Sequence, residues 1–149
     1  MLAVANHDPS PGTPLCQAPA DGSPAQDFSF EDAGDGLFYI RTQITNLYLS
    51  VVEPASASSA PALRQDAKYP PTAADTGLRP ALQRFKLISV GISQFTRDHY
   101  VISSEAYPDL EIQVTDPGAN DSPVVLGPPS FHGQAGPPTA WLINSPAIR

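Results

Sequence analysis

The chain has 149 residues, 41% of them hydrophobic, and a formal net charge of −7 at neutral pH. That is enough for one domain with a packed core, and the acidic surface argues against nucleic acid as a partner because a phosphate backbone would be repelled. Eighteen prolines interrupt the chain too often for long helices, so the expected class is all-β with long Pro-rich loops.

Cys16 is the only cysteine, which excludes an intramolecular disulfide and a thiolate metal cluster. No motif calls for a cofactor. The first residues, MLAVANHDPSPG, lack a basic segment followed by a long apolar one, and no apolar run is long enough to span a bilayer. The expectation is therefore no membrane contact, and a cytoplasmic or unconventionally released protein.

Residues 1–27 are Pro-rich and carry no aromatic side chain before Phe28, so a flexible tail is expected there and a single domain over 28–149. Glu31, Asp32 and Asp35, with Gly34 and Gly36, read as the turn that leads into the first strand. Strands are expected at GLFYIRT, with Phe38 and Ile40 alternating, and at NLYLSVV, with Leu47, Leu49 and Val51. Residues 54–82 read as a long Ala- and Pro-rich loop with room for an edge strand near Leu63 or Tyr69. Further strands follow at QRFKLIS (Phe85, Leu87), HYVIS (Tyr100, Ile102), DLEIQVT (Leu110, Ile112, Val114), SPVVLG and AWLIN (Trp141, Ile143), with an irregular loop over 128–139.

These segments form one pattern written twice, roughly sixty residues apart, which argues duplication of a supersecondary unit of up to four strands. Alternation places Phe85 and Trp141 in the core rather than on a ligand.

The pattern resembles the repeat of β-trefoil proteins, ricin-B-type lectins above all. Gly36 to Ile40 matches the opening of the repeat, Leu49-Ser50-Val51 the L-x-V strand, and Gln83-Arg84-Phe85 the Q-x-W position. The second copy matches at Tyr100 to Ile102, Ile112-Gln113-Val114 and Thr139-Ala140-Trp141. The resemblance implies an all-β, β-trefoil-like fold. Two clear copies where the family has three predict an incomplete barrel or a degenerate third unit, with self-association through unpaired strand edges.

The resemblance also implies recognition of a glycan. Ricin-type lectins use an aspartate inside L-x-V, where this chain has Ser50 and Gln113, and an aromatic and an amide pair where it has Gly127 and Pro138-Thr139. The usual galactose pocket is thus not expected. Gln113, Asp116 and Asn120 remain as hydrogen-bonding groups, with Phe131 or His132 as a stacking ring, and form the candidate carbohydrate site. Fungal trefoil peptidase inhibitors are similar at the same level. The alternative partner is therefore a peptidase, engaged by a stiff Pro-rich loop at 54–82 or at Pro128 to Pro138.

No catalytic residue is expected. The carboxylate pairs Glu105/Asp109 and Asp116/Asp121 fall in turns, His99 and His132 lack nearby partners, and the chain has no G-x-S-x-G, phosphate loop or H-E-x-x-H. The expected function is non-enzymatic recognition, of carbohydrate or, alternatively, of a peptidase.

Overall fold

The computed structural model describes residues 1–71, 79–92, 98–116, 118–129 and 140–142. Eleven described strands fall into three successive units. The first holds β1 (Leu2–Val4), β2 (Leu15–Gln17) and β3 (Phe28–Gly34). The second holds β4 (Leu37–Thr42), β5 (Tyr48–Val52), β6 (Ala62–Asp66) and β7 (Phe85–Ile92). The third holds β8 (Asp98–Ser104), β9 (Glu111–Val114), β10 (Ser122–Gly127) and β11 (Ala140–Leu142). The expected strands form within the described residues, each pairing antiparallel with a neighbour. Of AWLIN only residues 140–142 are described, and Ile143 and residues 130–139 of the expected loop lie outside them.

The units lock together through β2, β6 and β10. β10 pairs with β2 on one side and with β6 on the other, and a bridge between Pro14 and Arg64 closes the triangle. A second set of ladders, β3–β4, β4–β7, β7–β8 and β8–β11, runs through the strands at the unit boundaries. The core draws on all three units: Val4 and Leu15, then Ile40, Leu49, Val51, Leu63 and Phe85, then Ile102, Ile112, Val124 and Leu126. Each such side chain contributes about 1.5–3 kcal/mol by leaving water.

Residues 1–27 are not a free tail. They form β1 and β2, and they bury Ala3, Val4, Leu15 and Cys16. They supply the third unit. Leu2-Ala3-Val4 stands where Leu49-Ser50-Val51 and Ile112-Gln113-Val114 stand in the other units, and Gln26-Asp27-Phe28 parallels Gln83-Arg84-Phe85. Prolines do not oppose this, because none lies inside β1 or β2: Pro11 is in a turn, Pro14 forms the isolated bridge to Arg64, and Pro24 opens the short 3₁₀ turn Pro24–Gln26.

Two more expectations change. Glu31 and Asp32 lie within β3, and the turn is the two residues Asp35 and Gly36, both at positive φ, joining β3 to β4 as a tight hairpin. The segment 54–82 is not one long loop, since β6 runs through it and is paired on both sides, to β5 and to β10. Among the described residues no helix is long and apolar enough to cross a membrane.

A buried glutamine before the last strand of a unit holds the loop that precedes it. Gln83 Nε2 donates to the Ala67 carbonyl and to Ser50 Oγ, both at 2.8 Å, and its Oε1 accepts the Tyr69 N–H at 2.7 Å. Gln26 does the same in the first unit: Nε2 donates to the Pro19 carbonyl at 2.5 Å and Oε1 accepts the Asp21 N–H at 3.0 Å. In both cases the amide spans the C=O of one residue and the N–H of the residue two further on. Gln65, equally buried, ties β6 to the first unit by donating to the carbonyls of Asp8 (2.9 Å) and Ser10 (3.0 Å).

Two outcomes follow from this packing. Gln83→Leu keeps the volume but strands the buried Tyr69 N–H and Ser50 hydroxyl, so it should destabilise the fold by about 2–4 kcal/mol, read as a lower urea midpoint at unchanged slope. Cys16 is 5% exposed in β2, and burial pushes its thiol pKa up. It should resist a water-soluble thiol reagent in native buffer and react at once in denaturant, whereas fast native labelling would mean that β1 and β2 do not dock.

Candidate functional site

With Ile40, Leu49 and Leu63 buried, Tyr39, Arg41, Tyr48 and Arg64 beside them stay partly open to water. Cross-strand partners project to the same face, and the registers pair Glu31 with Tyr39, Arg41 with Tyr48, and Tyr48 with Asp66. Four strands, β3 to β6, therefore show Glu31, Tyr39, Arg41, Tyr48 and Asp66 on one outer surface. Lys68, just past β6, reaches back over it.

The four groups nearest the centre contact one another. The Tyr39 and Tyr48 rings meet edge to face at 5.8 Å between centroids. Lys68 Nζ lies 4.1 Å from the Tyr39 centroid, 5.1 Å from that of Tyr48, and 3.0 Å from Glu31 Oε1. The Tyr48 hydroxyl donates to the other carboxylate oxygen, Glu31 Oε2, at 3.1 Å. The hydrogen bond from Lys68, aided by that from Tyr48, holds the Glu31 carboxyl below its usual pKa, and Glu31 raises that of Lys68. Both charged side chains stay open to water, Lys68 43% and Glu31 41% exposed. The ion pair is thus worth about 0–1 kcal/mol and the cation–π contact about 0.5–1 kcal/mol.

Beside this cluster opens a cleft of about 330 Å³ lined by Tyr39, Lys68, Tyr69, Pro71, Pro80 and Arg84. Its walls are held. Tyr69 is buried and donates its hydroxyl to Asp66 Oδ2 at 2.8 Å, and Asp66 also accepts from Arg64 Nε at 2.6 Å. Burial pushes the Tyr69 phenol pKa up. Arg84 pairs with Glu105 at 2.6 Å. Among the described residues no three His, Cys, Asp or Glu side chains gather to hold a metal ion.

The positions that carry sugar in ricin-type lectins are filled by protein. Ser50 is fully buried under the Gln83 amide, and Ala3 is buried at the same place in the first unit. Gln113 is only 8% exposed, and its side chain covers Gly127 so closely that a Cβ there would overlap it. Asp116 and Asn120 are both exposed in the loop between β9 and β10, where Asp116 Oδ1 accepts the Gly118 N–H at 3.0 Å. Phe131 and His132 lie outside the described residues. Of the five candidates, the structure thus brings two into one exposed loop and leaves Gln113 buried in β9 with its side chain over Gly127, away from that loop.

The aromatic face went unread in the sequence, although a signal for it exists. Tyr39 and Tyr48 fall out of phase with the inward residues Phe38, Ile40 and Leu49, and large aromatics on the polar phase of two successive strands mark an outer platform.

No family model matches the chain, and no curated protein matches it in sequence. Solved structures do. A designed 3-fold symmetric protein, ThreeFoil, is similar at a TM-score of 0.74 with 21% identity, over 96% of this chain and 89% of that one. The Rhizoctonia solani agglutinin is similar at 0.66 with 10% identity, over 96% of this chain and 85% of that one. A mosquitocidal holotoxin is similar at 0.69 with 14% identity; 95% of this chain covers only 15% of that much longer one. At such identities the likeness establishes the fold, and the chain is an all-β protein of β-trefoil type.

Proposed function

We propose that this protein is a non-enzymatic recognition module that binds carbohydrate through the outer face of β3 to β6. One observation carries the reading: two half-buried tyrosine rings, a carboxylate and an ammonium converge beside a cleft. Sugars are bound by just such a mixture, aromatic surface for the C–H faces and fixed polar groups for the hydroxyls. The fold likeness to an agglutinin supports it. The site is displaced from the usual ricin-type position, where Ser50 stands in place of the aspartate and is fully buried.

A second contact is proposed at the β9–β10 loop, with Asp116 and Asn120, Gln113 from the adjoining β9, and Phe131 and His132 from the following segment. The exposure of Asp116 and Asn120 favours it.

A glycan-array screen, run beside titrations against one serine and one cysteine peptidase, tests the proposal. Saturable glycan binding is expected, weakened about tenfold by Tyr39→Ala or Tyr48→Ala, the loss of one stacking ring, in variants whose thermal melts show them folded. Binding that survives both changes but is lost with Asn120→Ala would move the site to the β9–β10 loop. Tight peptidase inhibition without glycan binding would overturn the reading.

A further inference from the structure

We infer that the glycan of this face carries a free amino group, which takes the seat that Lys68 Nζ occupies among Tyr39, Tyr48 and Glu31. The inference rests on the carbohydrate reading above and narrows its ligand class. It begins from what the structure already holds in the site: an ammonium, set near two tyrosine rings at 4.1 and 5.1 Å and against a carboxylate at 3.0 Å. Aromatic π-faces attract cations, and the carboxylate adds a charge of the right sign and hydrogen-bond acceptors. The rings and the carboxylate suit an organic cation at this seat, while Arg41 on the same face and Arg84 in the cleft wall place positive charge farther out. The chain's net charge of −7 acts in the same direction at longer range.

A neutral sugar stacking on Tyr39 would have to push Lys68 aside and leave Glu31 without its counter-charge. An amino sugar makes the exchange in kind. Its ammonium replaces that of Lys68 on the rings and on Glu31, so charge and donor count in the site are conserved, and Lys68 swings into solvent. The swing is easy for this residue. Lys68 is 43% exposed, and among the described contacts its ammonium is held by an exposed ion pair and two ring contacts, the weak forms of each interaction. Its backbone, by contrast, is fixed, because Gln83 binds the residues on either side. The displaced side chain therefore stays close and competes for the seat.

The cleft provides for the rest of the ligand. At about 330 Å³ it lies at the small end of ligand-site volumes, suited to one sugar unit, and Pro71, Pro80 and Tyr69 give it apolar walls for C–H surface. Tyr39 and Lys68 border both the cleft and the ammonium seat, so an amino group and its sugar ring fit as one ligand.

The test titrates the full chain with a short glucosamine oligomer, its fully N-acetylated counterpart and trilysine, following tyrosine signals by NMR. Wild type should prefer the amino oligomer to the acetylated one at least tenfold. Lys68→Met, which removes the internal competitor and keeps the aliphatic stem, should tighten amino-oligomer binding several-fold. Glu31→Gln should abolish the preference. Equal or better binding of the acetylated oligomer, or weaker amino-oligomer binding in Lys68→Met, would overturn the inference while leaving glycan recognition standing. Trilysine binding as tightly as the amino oligomer would overturn the assignment to a sugar. If no glycan binds here or on the array, the carbohydrate reading itself fails, and this inference with it.

Discussion

The structure depends on the need to satisfy backbone groups in the loops that precede the last strands of the first two units. A loop between two strands of a small barrel cannot complete its own hydrogen bonds, and every buried N–H or C=O left alone costs about 1–3 kcal/mol. Gln26 and Gln83 meet that need identically, each spanning a carbonyl and an N–H two residues apart with one fully buried amide. Only an amide offers a donor and an acceptor at that reach without bringing a charge into the core. Gln65 extends the arrangement between units by holding the 8–10 turn against β6.

What the second unit displays to solvent follows from its glutamine. Gln83 fixes Ala67 and Tyr69, so Lys68 between them leaves the backbone from a set position and reaches Tyr39, Tyr48 and Glu31. Tyr69, held at its N–H by Gln83 and at its hydroxyl by Asp66, forms a firm wall of the cleft. The same amide also donates to Ser50, so one buried side chain ties β5 to the loop that carries the neighbouring surface.

The three units diverge at the residue between the apolar pair of β1, β5 and β9, which is buried in all three. Leu2 and Val4, Leu49 and Val51, and Ile112 and Val114 keep the apolar phase of the second strand. The residue between them is Ala3, Ser50 or Gln113, each accommodated by a different neighbour. Core positions must fill a shared volume at close-packed density, whereas outward positions answer only to local contacts. A paired tyrosine face can therefore belong to the second unit without disturbing the barrel.

The sequence by itself determined the strands of the second and third units, because Phe38, Ile40, Leu49, Val51, Ile102, Ile112 and Val114 alternate with polar residues at the period that a half-buried strand requires. It also carried the repeat, and with it the trefoil class. Three things waited for the tertiary structure. Residues 1–27 looked like a tail because Leu2-Ala3-Val4 and Leu15-Cys16-Gln17 are three-residue strands, too short to show a period, and they bury apolar surface only once β10 lies beside them. Gln83 read as the start of a strand at the Q-x-W position and Gln26 as part of a tail, and neither showed its clamping role, since a polar side chain reveals its burial only through partners distant in sequence. The face of Glu31, Tyr39, Tyr48 and Lys68 is drawn from 38 positions of chain folded into one surface; periodicity orients each residue on its own strand, but pairing register and a clamped loop decide which of them meet.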